Sequence, residues 1–529
     1  MSDAADHVVA FSKHLQQQVR QQIRAQKRRS LMMLLGLLTF TEFLESQMFI
    51  FASSHIIGGV DAGPREFAQV QTAYAVGIML MVVLQQWLSR RMGYRRYLLA
   101  SLLLFIVGGV ACAWSDHLWS LTLSRLLQGF GGGAFFTSSR ILINLMFSVE
   151  ERPRAIKYFM LIMMASGGVA PVLASHLIEY GEWRWVFYGP LPFALWCAGL
   201  IWWLLPKGIG RRRDVPALSM LPLVLFATAV LILQWVLTVT RFDVFTHPLR
   251  LWGLLLLGAG LLLGFLWQQW RHPEPLIHVR ELNSPVYLTG LGLYFLYYFV
   301  ASFGNYIFPI YAEQGLGFSL LNVGWMNGLV GLSGVVVGYL YVAWLGRYFP
   351  RKKVVMVAGA VALAIAAWWF SRVGADAGFA QLWVGLVAKG VFGVLLVLPV
   401  AGLTFSQLDS DDRFAHGYQG KNLMRQIAVS SSTAIAAVML QNRVSSVDAQ
   451  LRAGLTPDRT GVLNWLDQTR LMLMQQGLET VQAQQVAMGM LAQRVHQQAQ
   501  LLAAEQMYEV LAVLALMVAG VIMIQRQLR

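Results

Sequence analysis

Fourteen stretches of this chain are long and apolar enough to cross a lipid bilayer, and that limits its fold more than any other feature. A spanning helix needs about twenty mostly apolar residues. Such runs occupy residues 31–57, 67–88, 97–114, 118–139, 155–178, 184–205, 215–237, 249–270, 286–311, 318–345, 354–371, 378–407, 420–441 and 506–525. Across all 529 residues only 13% are charged and 57% are hydrophobic, whereas soluble domains carry about a quarter charged residues. Most of the surface therefore faces lipid, and the expected fold class is an all-α integral membrane protein. Cys112 and Cys197 both fall in apolar runs, where a free thiol acts as a small hydrophobe, so no disulfide framework or redox chemistry is expected.

A net charge of +15 would suit nucleic acid, but the basic residues gather in short loops between apolar runs. That is a topology signal, and no nucleic acid partner is expected. With an even number of spans both termini lie on one side of the membrane. Placing them in the cytoplasm puts 28 basic residues inside and 10 outside, with Arg125, Arg140 and Lys389 within spans. The asymmetry predicts cytoplasmic termini. The first 30 residues fit neither a signal nor a transit peptide, because the apolar run is too long and a basic tail precedes it. In that tail Val8, Phe11, Leu15, Val19 and Ile23 fall at helical spacing beside Arg20, Arg24, Lys27, Arg28 and Arg29. The pattern predicts an amphipathic helix on the anionic inner leaflet, a solvated tail being the plainer alternative.

The chain also repeats itself. The basic loop "SRRMGYRR" at 89–96 recurs as "GRYFPRKK" at 346–353, 257 residues later; "EER" at 150–152 recurs as "DDR" at 411–413, 261 later; Arg125 and Lys389 are 264 apart. One duplicated six-span unit accounts for these offsets, with spans seven and eight inserted between the copies. The expected organisation is a tail (1–30), a first six-helix bundle (31–206), two inserted helices (207–284), and a second bundle (285–441 with 506–529) interrupted by a periplasmic helical loop (442–505).

Two carboxylates in the first span carry the functional argument. At 1.5 Å per residue from Leu31, Glu42 lies about 16 Å and Glu45 about 21 Å into a core about 30 Å thick. Arg125, on the inward-running fourth span, lies about 20 Å from the cytoplasmic face, the depth of Glu45. Ionisable groups at such depth are costly unless paired or facing water, and they mark pathways. Desolvation raises a carboxylate's pKa and a nearby guanidinium lowers it, so a Glu whose partner moves can take up and release a proton. A static ion pair between spans one and four is the simpler reading. Glu42, one turn away, is a second proton site or a contact for a cationic substrate. Lys389, about 16 Å into span twelve, balances the carboxylates or attracts an anionic group. His55 and Arg140 fall near span ends and receive no role.

These residues sit in familiar surroundings. "LTLSRLLQGFGGG" (121–133) resembles the fourth-helix motif of the major facilitator superfamily, with Arg125, Gln128, Gly129 and Gly131 at its arginine, glutamine and glycines. "LESQMFIFASSHI" (44–56) is similar to the first-helix motif of the fourteen-span drug:proton antiporter branch (EmrB/QacA-like), with Glu45 where that branch has an aspartate. "VQTAYAVG" (70–77), which holds Tyr74, "EWRWVFYGPLPFAL" (182–195), "HPEPLIHVREL" (272–282), "FPIYAEQGLGFS" (308–319) and "NLMRQIAVSSS" (422–432) follow in the branch's order. The resemblance implies a major facilitator fold with 14 transmembrane helices, alternating access, and multidrug efflux across the bacterial inner membrane driven by inward proton flow. The candidate proton-coupling residues are then Glu45, Glu42 and Arg125, and the candidate substrate-binding residues Glu42, Glu45, Tyr74, Gln128 and Lys389. Hydrophobic small molecules and protons are the expected ligands, and no cofactor or metal is expected. The chain departs from the pattern at Gln86 and Arg90, where the loop motif has glycine and aspartate, and at Ala170, Ala174 and Ser175, which replace glycines around Pro171 in the fifth-helix antiporter motif.

Residues 442–505 are too long for a bare connection. Their Gln, Ala, Leu and Met content at helical spacing predicts short periplasmic helices, the last running into span fourteen, with breaks near Gly454, Pro457 and Gly461. The region resembles that of Gram-negative members working with a periplasmic adaptor protein and an outer-membrane channel; a simple cap is the alternative. Export of an endogenous metabolite such as a siderophore is the runner-up within transport. A membrane enzyme using "DSDDR" (409–413) as a magnesium diphosphate site lacks a second Asp-rich run, and an ATP-driven pump lacks a GxxxxGK[ST] loop.

Overall fold

The computed structural model describes residues 2–527 except 213, 214, 216, 273, 274, 346–350, 409 and 455–459, with side chains also left aside at 2–25, 64, 345, 411 and 460. The apolar face expected for the tail, most of the "GRYFPRKK" loop and the break at Pro457 thus lie outside the described residues. With no water in a bilayer core, backbone groups must be satisfied within each segment, and the regular structure described is entirely helical.

Spans one to three are the helices Ser2–Phe51, Pro64–Met92 and Tyr94–Ala113. The tail joins span one without a break. Span four is two helices, Leu118–Gly132 and Phe135–Met146. Spans five and six are Arg152–Glu179 and the pair Trp185–Tyr188 with Leu191–Leu204; the inserted spans seven and eight are Met220–Asp243 and Pro248–Arg271. Spans nine to twelve are Pro285–Pro309, Leu320–Leu340, Lys352–Phe370 and Phe379–Thr404. Thirteen and fourteen are the long helices Asp411–Ala453 and Thr480–Ile524.

Among the described residues 13 helices are individually long and apolar enough to cross a membrane. The fourteenth run is span four, whose unbroken passage over 118–139 is corrected to two shorter helices ending at Met146. Arg140 consequently sits within the second of these, bonded to Asn144 and stacked on Phe414, rather than at a span end.

Packing shows why the chain folds as two related bundles. In the first half span two packs on span four, three on four, one on five and three on six; in the second half ten packs on twelve, eleven on twelve, nine on thirteen and eleven on fourteen. Each pairing recurs eight spans later. Spans seven and eight pack on each other, and seven also lies against two and thirteen. Large side chains exposed on the outside, such as Trp202, Leu231, Leu256 and Leu263, form the lipid-facing surface.

Spans five and ten join the halves. Ala170, Ala174 and Ser175 stand where glycines are expected in span five, yet close approach is kept by Gly168 of span five and the glycines of span ten: a Cβ at Gly331 would lie 2.2 Å from Gly168 Cα, and one at Gly324 would lie 2.3 Å from Ser175 Oγ. Further junctions lie toward the side carrying the chain termini. There Asp412 of span thirteen pairs with Arg90 (2.9 Å) and Arg212 (2.8 Å), and Arg413 with Glu281 (3.3 Å). Deeper along the same helix Gln419 donates to Val82 O at 2.6 Å and Asn422 to Thr137 Oγ1 at 2.6 Å. Arg90, the departure from the family loop motif, is thus one partner in this closure.

The insertion at 442–505 is helical but not built of short helices alone. Span thirteen continues to Ala453, Thr460–Gln475 is a separate helix, and span fourteen begins at Thr480. Gln497 donates to Gly315 O at 3.3 Å and Leu501 packs on Gly315, at the end of span nine. The helix from Thr480 to Gln497 therefore projects about 25 Å beyond that point. Apolar contacts of Leu473, Ala483 and Ala487 hold the separate helix against it.

Candidate functional site

The four glycines after Gln128 bring the site together. A Cβ on Gly129 would sit 2.5 Å from Tyr74 O, and one on Gly77 would sit 2.6 Å from Leu126 O, so the backbones of spans two and four touch. That contact places Tyr74 against Arg125, which is 1% exposed. The guanidinium lies between the rings of Phe49 and Tyr74, 3.9 and 3.8 Å from their centroids. Its Nη1 donates to Glu45 Oε1 and, at 2.6 Å, to Gln128 Oε1. Tyr74 is itself held by Ser46, 3.0 Å from its hydroxyl. A buried charge is tolerated only when paired and bonded, and two ring faces add cation–π attraction. Capacity is left over: among the described residues Glu45 Oε2, Arg125 Nε and Gln128 Nε2 are buried without a hydrogen-bond partner.

Glu42 has different partners. The interruption after Gly132 leaves the helix Phe135–Met146 with unbonded amides at its start, the usual condition of a helix N-terminus. Glu42 Oε2 accepts from Phe136 N at 3.0 Å, and Oε1 accepts from Arg425 of span thirteen at 3.4 Å. A carboxylate at a helix start is also favoured by the helix dipole. Glu45 is therefore bound within the first half, whereas Glu42 ties the two halves together.

Sequence reasoning missed the second half's contribution. Lys421 and Arg425 stand among the 28 basic residues assigned to the cytoplasm, but both lie within span thirteen; Lys421 is 2% exposed and 26 remain on the tail side. The signal was present: the helix runs unbroken from Asp411, so Tyr418, Lys421, Asn422 and Arg425 recur at one-turn spacing facing the first half. Lys421 Nζ lies 4.2 Å from the ring centroid of Phe136 and 4.4 Å from that of Tyr418. Lys389 stands apart. It is half-buried, its Nζ is 4.8 Å from the Phe308 ring centroid, and among the described residues no carboxylate lies within ion-pair distance.

The structure thus brings Glu45, Arg125, Tyr74 and Gln128 into one cluster, sets Glu42 beside it, and leaves Lys389 elsewhere. At the tail-side mouth, the rings of His278 and His416 lie 4.2 Å apart. Partial burial, the larger effect, and the nearby Arg90 hold the His278 pKa below its ordinary value against the opposing pull of Glu281. No cluster of three or more His, Cys, Asp or Glu suited to a metal occurs among the described residues.

Comparison with known proteins agrees with this architecture. The sequence profile of the Major Facilitator Superfamily matches residues 35–395. The chain is 23% identical to the uncharacterized MFS-type transporter YhcA of Bacillus subtilis over 79% of this chain and 77% of that one. It is 24% identical to a Salmonella typhimurium protein named "Putative multidrug resistance protein MdtD" over 76% of this chain and 84% of that one. Among solved structures, the human organic anion transporter MFSD10 superposes with a TM-score of 0.58 at 16% identity, covering 93% of this chain and 99% of that one. The proton:xylose symporter XylE gives 0.55 at 12% identity, covering 94% and 95%.

Proposed function

The chain belongs to the major facilitator superfamily, and on that premise we propose that it exports hydrophobic small molecules, drugs among them, from a bacterial cytoplasm in exchange for protons. It is a multi-pass membrane transporter, and members of this family are not enzymes. The observation that carries the reading is the buried pair of Glu45 and Arg125. A carboxylate at this depth with one oxygen unbonded has a place for a proton. Protonation neutralises Glu45 and frees the guanidinium, whose remaining partners are Gln128 and two rings. Return of the proton to the other side restores the pair. Coupling follows if the two charge states favour different arrangements of the halves.

In this reading both termini are cytoplasmic, and the junctions made by Asp412, Gln419 and Asn422 close the cytoplasmic side. The site then communicates with the periplasm. The projecting helices beyond Gln497 carry exposed Val481, Val486 and Met488, an apolar surface outside the membrane that suits a periplasmic adaptor leading to an outer-membrane channel.

The test is flux in proteoliposomes under an imposed pH gradient, scanned over charged and neutral hydrophobic drugs. Glu45→Gln is expected to insert and fold but to move drug no faster than protein-free liposomes. Gradient-driven flux unchanged in that variant rules out the coupling role.

A further inference from the structure

One group at the junction of the halves is unused by this scheme. Lys421 is 2% exposed, and its Nζ is enclosed by the rings of Phe136 at 4.2 Å, Tyr418 at 4.4 Å, Tyr294 at 5.4 Å and Tyr298 at 5.9 Å. Phe136 belongs to the first half and the tyrosines to the second, so the cage straddles the interface that alternating access must open. Tyr298 and Arg425 are partly exposed beside it, whereas Phe136, Tyr294 and Tyr418 are buried.

The charges around it do not balance. Arg425 lies one turn along the same helix and is paired with Glu42 at 3.4 Å, and Arg140 lies on the ring of Phe414. Glu42 already accepts from Phe136 N and Arg425, and Glu45 is taken by Arg125. Among the described residues no carboxylate lies within ion-pair distance of Lys421. Aromatic faces attract an ammonium but leave its charge uncompensated, and a desolvated excess of one sign favours a ligand of the other. A cationic cargo would add positive charge to the same space.

Resting on the transport reading above, we propose that this cage is a binding subsite for organic anions, with the acidic group of an amphiphilic aromatic cargo pairing with Lys421 and its apolar body lying against Phe136 and Tyr298. The Glu42–Arg425 contact, at 3.4 Å, leaves Arg425 able to turn toward the same acidic group.

Equilibrium binding at fixed pH, with no gradient, tests this separately from proton coupling. The full-length protein in nanodiscs is titrated with 1-pyrenebutyrate, 1-pyrenebutanol and 1-pyrenebutylammonium, read by energy transfer from tryptophan with empty nanodiscs subtracted. The three probes share a body and differ in charge. The wild type is expected to bind the anion about tenfold tighter than the alcohol, the scale of one charge-assisted contact, and the ammonium most weakly. Lys421→Met should remove the anion's advantage without changing alcohol binding, and Lys421→Arg should restore it. A wild type that binds all three alike, or prefers the ammonium, overturns the proposal without need of any variant. A Lys421→Met protein that still binds the alcohol and keeps the full anion preference overturns it as well.

Discussion

The two halves place a cation at matching positions 264 residues apart and surround it differently. Arg125 has a carboxylate, an amide and two ring faces; Lys389 has one ring and, among the described residues, no carboxylate. The two halves therefore share a scaffold of helix pairings and differ in the chemistry placed on it. The first half holds a closed ion pair, and the second half contributes its ionisable groups from span thirteen, where Lys421 and Arg425 reach across to Phe136 and Glu42.

The comparison can be broken most directly by exchanging the cations. A lysine cannot reproduce a planar fork that bonds Glu45 and Gln128 while stacked between two rings. Arg125→Lys is expected to lose most gradient-driven flux in proteoliposomes, and Lys389→Arg to keep most of it; equal losses would show the halves to be functionally alike. A smaller effect separates the packing. Gly129→Ala forces a Cβ onto Tyr74 O and should cost about 1–3 kcal/mol, seen as a lowered thermal midpoint in detergent. Gly393→Ala meets only the Tyr297 hydroxyl at 3.9 Å and should leave the midpoint nearly unchanged. The smallest effect belongs to the tail-side closure. Asp412 and Arg90 are partly solvent-exposed, and such pairs contribute about 1 kcal/mol or less. Asp412 makes two such pairs, with Arg90 and Arg212, so Asp412→Asn should raise labelling of a cysteine placed at the buried Ala415 by no more than about thirtyfold, with the difference shrinking at high salt.

Much of this was legible because a bilayer imposes a fixed ruler. The depths of Glu45 and Arg125, counted at 1.5 Å per residue, place them at one level, and the structure sets them in contact. Lys421 and Arg425 fall at the start of the apolar run 420–441 and are counted with the loop before it, whereas the helix itself starts at Asp411. Apolar length locates a span but not its ends, because polar residues buried between helices look like loop residues in a hydropathy pattern.

The sequence by itself determined that the chain lies in a membrane, how many times it crosses, and that a six-span unit is repeated around an inserted pair. Those follow from apolar run length and from the spacing of charged loops, which are local properties. Tertiary structure alone decided that span four breaks after Gly132, that the freed amide of Phe136 is bonded by Glu42, and that span thirteen carries Lys421 into an aromatic cage. Each of these depends on which helix faces meet, and residues nearly three hundred positions apart meet only when the two halves close on one another.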